Sequence, residues 1–292
     1  MGFKTNHCDH SHSKFVEKEV CGNLLLEDNF DETAKYKAKV LPDVLYKFVS
    51  LYDEDQDEHN KEDNEKKFSS LEKGEIWFSS RKAMNDPFEF KGLYMDKAKM
   101  CRNRWSPDAV ERINYILQDS FFLSSFTTNM CNNLPMWAYY ANNHAGYCIK
   151  YRVNKGAIVH QVKYFDQRCQ IDGVVTKLFD YGCIQNDITV PEENRKKANI
   201  EYQECLEIIH KMYLIKHTSW NHENEFRLFC DALPGERGRN ISAASVGLTP
   251  TDVFCGVHCS EKHIEKIQSI SDKTGLVFHR CKLSPIDFLV IE

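Results

Sequence analysis

The chain has 292 residues, a formal net charge of -5 and a 42% share of hydrophobic residues. That is material for one large core or two small ones. It carries no overall basic surplus of the kind that holds nucleic acid, and no stretch approaches the ~20 apolar residues that span a bilayer.

Residues 1–40 are polar and mixed in charge, with one apolar patch at Leu24–Leu26, and read as an extension before a single α+β domain over 41–292. The opening MGFKTNHCDHSHSK has no apolar signal core, and Asn6 breaks the myristoylation pattern. The expected location is therefore cytoplasmic, and the twelve cysteines read as reduced thiols. Two Cys/His groups stand out: His7, Cys8, His10, His12 with Cys21, and Cys255, His258, Cys259, His263. Neither has the paired ligand spacing of a structural zinc site, so no metal is expected.

The core is expected to begin with a short alternating strand over 44–48 (VLYKF). The acidic run YDEDQDEHNKEDNEKK follows as a solvated loop or helix face, and Phe68 and Leu71 before Gly74 read as a helix closing at glycine. EIWFSS over 75–80 is a second strand. Asn85-Asp86-Pro87 is turn chemistry, because Pro87 pushes Asp86 out of the α region. Ser106-Pro107 caps a helix carrying Val110, Ile113, Ile116 and Leu117. FFLSSFTT over 121–128 is strand-like, PMWAYYA near 135–140 a short aromatic helix, and Asn142–Gly146 a turn. Strands are expected over 147–153 and 158–164, a long helix over 192–216, and further strands near 253–257, 276–282 and 288–291, with a Ser260-capped helix among them. Irregular alternation of many short strands with several helices favours α+β, with a mixed, mostly antiparallel sheet.

The most informative stretch is KHTSWNHENEFRLFCD, holding Trp220, Glu223, Glu225 and Arg227. Glu225, Arg227 and Phe229 fall on one face of an extended strand, and Glu223 joins them if the strand starts early enough. Carboxylates this close repel and raise one another's pKa, which suits a functional site. The plain alternative is an edge strand in which Arg227 neutralises a glutamate. No phosphate loop or nucleophile elbow is present. His144 before Gly146 is a candidate acid or base.

The order of these motifs resembles a bacterial family catalogued as domain of unknown function 2971. The resemblance rests on LYKF at 45–48, EIWFSS at 75–80, NDPFE at 85–89, MWAYY at 136–140, NHAG at 143–146, and Lys216 with Trp220, Glu223, Glu225 and Arg227. Some members of that family lie near phage-defence genes. A weaker likeness, to ADP-ribosyltransferases, follows the order Tyr46, then Ser79 and Ser80, then Glu223 and Glu225, with Ser124-Ser125-Phe126-Thr127 competing for the serine role. It implies an ADP-ribosyltransferase-like fold and an effector or toxin that uses NAD as substrate. Glu225 would steady a ribosyl cation, Glu223 would position or activate the acceptor, and Tyr46, Trp137 and Tyr140 would stack NAD rings, with Ser79, Ser80, His144 and Arg227 around them. The acceptor, protein or nucleic acid, stays open, as does a defence-system partner or antitoxin; no membrane partner is expected. Two other readings stand beside this one. One is a non-enzymatic nucleotide- or protein-sensing module. The other is a nuclease using Asp86, Glu89 and Glu225 around a divalent ion.

Overall fold

The computed structural model describes residues 41–55, 57–131, 133–232, 235–287 and 290–291, so the expected extension over 1–40 lies outside the described residues. Most of the candidate site sits on one twisted sheet whose strands can be read from their side-chain alternation. These are β1 (Val44–Val49), β2 (Glu75–Ser79), β3 (Phe121–Thr127), β4 (Tyr147–Val153), β5 (His160–Gln161), β6 (Glu225–Asp231), β7 (Gly238–Ser242), β8 (Leu248–Cys255) and β9 (Val277–Arg280). The order is β7-β2-β3-β1-β4-β8-β9, with β6 on the other edge of β3 and paired in turn to β5. All pairings are antiparallel except β8 with β9. The architecture is the expected α+β fold with a mostly antiparallel sheet.

Two helices cover one face of this sheet and a third covers the other. On the first face Leu45, Ile76, Phe122, Phe126, Ile149, Phe226, Leu228 and Val253 form a core with Phe68 and Leu71 of helix α1 (Glu58–Glu72) and Ile264, Ile267 and Ile270 of a C-terminal helix. On the second face Phe48, Cys148 and Phe254 pack with Met136 and Trp137 of helix α2 (Leu134–Tyr140). The C-terminal helix, α3 (Glu261–Thr274), is capped by the Ser260 hydroxyl and closes at Gly275, where φ is 77°. Asp57 caps α1 in the same manner, so the acidic run is half loop and half helix.

The described residues gather into two compact units. The sheet unit contains 41–84, 121–162 and 219–291, and the second unit contains 85–120 and 163–218. The second unit is mainly helical, with helices over Lys97–Arg102, Pro107–Asp119, Asp172–Asn186 and Glu192–His210. Gly182 lets Tyr202 of the neighbouring helix approach closely; a Cβ there would lie 3.3 Å from its ring. Two of the element expectations change here. The strand expected over 158–164 divides at Val162, and Lys163–Phe165 instead pairs in parallel with Ile215–His217. The helix expected to reach Lys216 stops at His210 and tightens into a 3-10 turn over Lys211–Leu214. Among the described residues no helix is long and apolar enough to cross a membrane.

Candidate functional site

Strand β6 starts at Glu225 because Asn224 sits in the left-handed region, with φ at 43°. Asparagine tolerates that conformation better than most residues. Its amide also donates to the Thr128 hydroxyl. The strand thus starts too late to include Glu223, which instead ends a 3-10 turn over Thr218–Glu223. From there its carboxylate accepts a hydrogen bond from the Tyr140 hydroxyl at the end of α2. Glu225 and Arg227 share a face, as expected, and make a two-pronged ion pair: Nε to Oε1 at 2.8 Å and Nη2 to Oε2 at 2.9 Å. The Ser125 hydroxyl also donates to Glu225 Oε1. Glu223, Glu225 and Arg227 are 2%, 3% and 0% exposed, so these charges sit where pairing is obligatory.

The sheet register extends the site sideways. Glu225 lies opposite Thr127, Thr127 opposite Tyr46, Tyr46 opposite Lys150, and Lys150 opposite Asp252. Directly paired residues point to the same face, so five strands contribute one polar row. Tyr46 is two strands from Glu225, about 10 Å at the usual strand spacing. At the far end Lys150 Nζ is 3.4 Å from Asp252, and His279 Nε2 is 3.0 Å from it. Burial raises the Asp252 carboxyl, but bonds from Thr251 and His279 and the Lys150 charge outweigh it and hold its pKa below the ordinary value. His279 stacks on Phe254 at 4.4 Å.

Behind the row, on the opposite face of β1, Lys47 donates to the Ser124 hydroxyl at 2.7 Å and lies over the Phe126 ring at 5.2 Å. Burial lowers its ammonium to a pKa of about 8, with the Glu225 charge working in the other direction.

The structure thus brings Glu225, Arg227 and Tyr46 onto one side of the sheet, and pairs Glu223 with Tyr140 from the helix covering that side. Ser79 faces Leu123 on the same side, four residues along β3 from Thr127. Ser80 lies past the strand end, its N–H bonded to the Arg237 carbonyl. Trp137 is fully buried, edge-on to Phe48 and stacked on His144, with its indole N–H given to the Met130 carbonyl. It therefore forms part of the core wall. His144 closes a run of three left-handed residues, Asn142 to His144, and faces His258 at 5.8 Å. Burial, with a smaller contribution from His258, lowers its pKa.

Asp86 and Glu89 are buried in the second unit, Asp86 accepting from the Phe88 N–H at 2.8 Å, whereas Glu225 belongs to the sheet unit; Asn85 is exposed. Among the described residues no group of three or more His, Cys, Asp or Glu is arranged to hold a metal ion. The first Cys/His group lies outside the described residues. Sequence reasoning underplayed Ser125, Thr127, Lys150 and Asp252. Ser125 and Thr127 were visible as alternating hydroxyls in an apolar strand, while Lys150 and Asp252 become site neighbours only through long-range register.

A family model described as "Protein of unknown function (DUF2971)" matches residues 136–228. The matched segment runs from α2 through the Asn142–Gly146 turn to the Glu225–Arg227 pair, so the resemblance read from motif order holds over this part of the site. No curated protein and no solved structure matches the chain.

Proposed function

We propose that the chain is an ADP-ribosyltransferase-like effector that uses NAD as its substrate, in a setting such as anti-phage defence. The observation that carries this reading is the grouping of Glu225, Tyr46 and the Glu223–Tyr140 pair on one side of the sheet. In the proposed reaction the bond between ribose C1′ and the nicotinamide nitrogen breaks, and its electron pair leaves with neutral nicotinamide. Positive charge grows on the ribose as it does so. Glu225, held by Arg227 and Ser125, supplies fixed negative charge where that cation forms and accepts from a ribose hydroxyl. The acceptor atom then bonds to C1′ and passes its proton to Glu223. Tyr46 offers a ring for stacking. Held by Arg227 and Ser125, the Glu225 charge is fixed before the substrate arrives, so its interaction with the cation requires little reorganisation.

One observation favours a second reading, a non-enzymatic nucleotide- or protein-sensing module: Arg227 engages both oxygens of Glu225, as a purely structural ion pair would. Glu225→Gln separates the two. Glutamine keeps size and hydrogen-bonding atoms but loses charge. The transferase reading expects NAD turnover per folded molecule, followed as nicotinamide release, to fall on the order of 10²-fold or more, beyond the stability lost with the ion pair to Arg227. Normal turnover with stability lowered by about 1–3 kcal/mol would leave only the structural pair. Absence of NAD turnover in the unmodified protein would favour the sensing module.

A further inference from the structure

Cys255 and Cys259 are separate from the polar row and are not used by the reaction proposed above. Cys255 is the last residue of β8, and Cys259 precedes Ser260, the cap of α3. Between them the chain makes a tight turn, closed by the Cys259 N–H on the Gly256 carbonyl at 3.0 Å. A Cβ on Gly256 would lie 2.2 Å from the His144 carbonyl oxygen, so this close turn requires glycine. The turn folds the two thiols toward each other, close enough for each to shift the ionisation of the other. Both are free thiols, Cys255 sealed and Cys259 7% exposed.

A histidine and a carboxylate complete the cluster. His263, one turn into α3, neighbours Cys259 and is favoured as the cation by it. Its Nε2 lies 3.2 Å from Glu54 Oε1, and its ring packs against Phe68 at 5.8 Å. Glu54 also accepts from Asn64, at 3.2 Å, and from Lys262. Cys259, His263 and Glu54 thus place a thiol, an imidazole and an orienting carboxylate in that order, with the imidazole–carboxylate contact at 3.2 Å. That is the arrangement that activates a cysteine. The start of α3 adds the positive end of a helix dipole.

From this geometry we infer that Cys259 is a peroxide-reactive thiol and Cys255 its resolving partner. The Cys259 thiolate sulfur attacks one oxygen of a hydroperoxide. The O–O bond breaks, an S–O bond forms, and the departing oxygen takes a proton from the His263 imidazolium. The Cys255 sulfur then attacks the Cys259 sulfenic acid. The S–S bond forms, and hydroxide leaves with the Cys255 proton as water. Two thiols are oxidised by two electrons and one peroxide is reduced.

The charge distribution supports this division of labour. Cys255 favours the Cys259 thiolate, and His263 adds to it against the effect of burial; Cys259 and burial together keep Cys255 protonated. His263 is correspondingly favoured as the cation, by Cys259 and then by Glu54 against burial. Glu261 and Arg280 face the pair as well, in opposite senses, and the buried Cys281, whose N–H donates to the Cys255 carbonyl at 3.0 Å, adds to the protonation of Cys255.

The test treats the full chain with limiting hydrogen peroxide and maps thiols by peptide mass spectrometry. The expected product is a Cys255–Cys259 disulfide, formed ahead of oxidation at the exposed Cys131 and Cys183. In Cys255→Ser the expected product is a Cys259 sulfenic acid trapped by a dione reagent. In His263→Asn the rate of Cys259 oxidation should reach half its maximum at a higher pH than in the unmodified protein, a change that loss of packing alone does not produce. Oxidation of Cys131 and Cys183 with Cys255 and Cys259 still reduced would overturn the inference. An unchanged pH profile in His263→Asn would overturn the role of His263.

Discussion

Lys47 shows how one half-buried residue can report on a whole row of others. Its ammonium sits among Ser124 and Phe126 on the face of β1 opposite Tyr46, with a pKa lowered to about 8 by burial. The expected outcome of an NMR titration of lysine ε-methylenes is one resonance with a midpoint near 8, against 10.5 for an ordinary lysine. The Glu225 charge raises this pKa, so in Glu225→Gln the Lys47 midpoint should fall further. The sign for stability follows from linkage. The fold disfavours the charged form, so stability is lower below pH 8 and recovers as pH rises from 8 to 10.5. A Lys47 resonance that titrates with the surface lysines would show that the amine reaches bulk solvent. The Glu225–Arg227 pair was legible because a two-residue spacing on a strand fixes a shared face regardless of context. Its neighbours Lys150 and Asp252 were not, because register between distant strands is set by packing on both faces.

At the scale of elements, the sharpest local device is the single left-handed residue between the two carboxylates. Asn224 ends the 3-10 turn that delivers Glu223 to Tyr140 and starts the strand that delivers Glu225 to Arg227. Asn224→Gly should be nearly neutral, since glycine adopts this conformation freely, though it loses the bond to Thr128. Asn224→Val should cost about 1–2 kcal/mol in chemical denaturation and should weaken NAD turnover by more than that stability loss alone explains. Equal behaviour of the two variants would mean that the backbone turn does not set the carboxylate positions. Elements of this kind were legible only in part. Strands with alternating apolar residues, such as β3, β4 and β6, can be read within a residue or two, and so can helices with Ser caps and Gly stops. The helix over Asp172–Asn186 was missed because Gly173, Val174, Val175 and Gly182 are poor helix formers, and its packing against the following helix supplies what propensity does not. The end of the long helix was overrun because Ile209, Met212 and Tyr213 keep a helical spacing even where the chain tightens and then pairs as a strand.

At the scale of the whole molecule, the chain builds its sheet unit from three separated stretches, and contacts between distant residues must hold them together. Glu54 is one such contact. It lies before α1 and binds Lys262 and His263 of α3, some two hundred residues later, while Asn64 of α1 shares its carboxylate. Burial raises its pKa, but the bonds from Lys262, Asn64 and His263 outweigh that and hold it at about 2, against 4.5 for an ordinary glutamate. A depressed carboxylate contributes stability that is complete above the unfolded pKa and is lost as pH falls through the folded one. The Glu54 contribution should therefore disappear between pH 4.5 and about 2. Part of the carboxylate interaction is screened by water, which places that contribution on the order of 1–3 kcal/mol. Glu54→Gln keeps the side-chain shape and removes the titration. Compared by denaturant unfolding at a series of pH values, the variant should be less stable than the unmodified protein at pH 6 and should converge on it toward pH 2. Parallel curves over that range would show that Glu54 is not the charge that ties α1 to α3. The same substitution should lower the pKa of His263, because the carboxylate helps hold its imidazolium. The acid limb of stability and the reactivity of Cys259 are thereby linked through one side chain, and a single variant should move both.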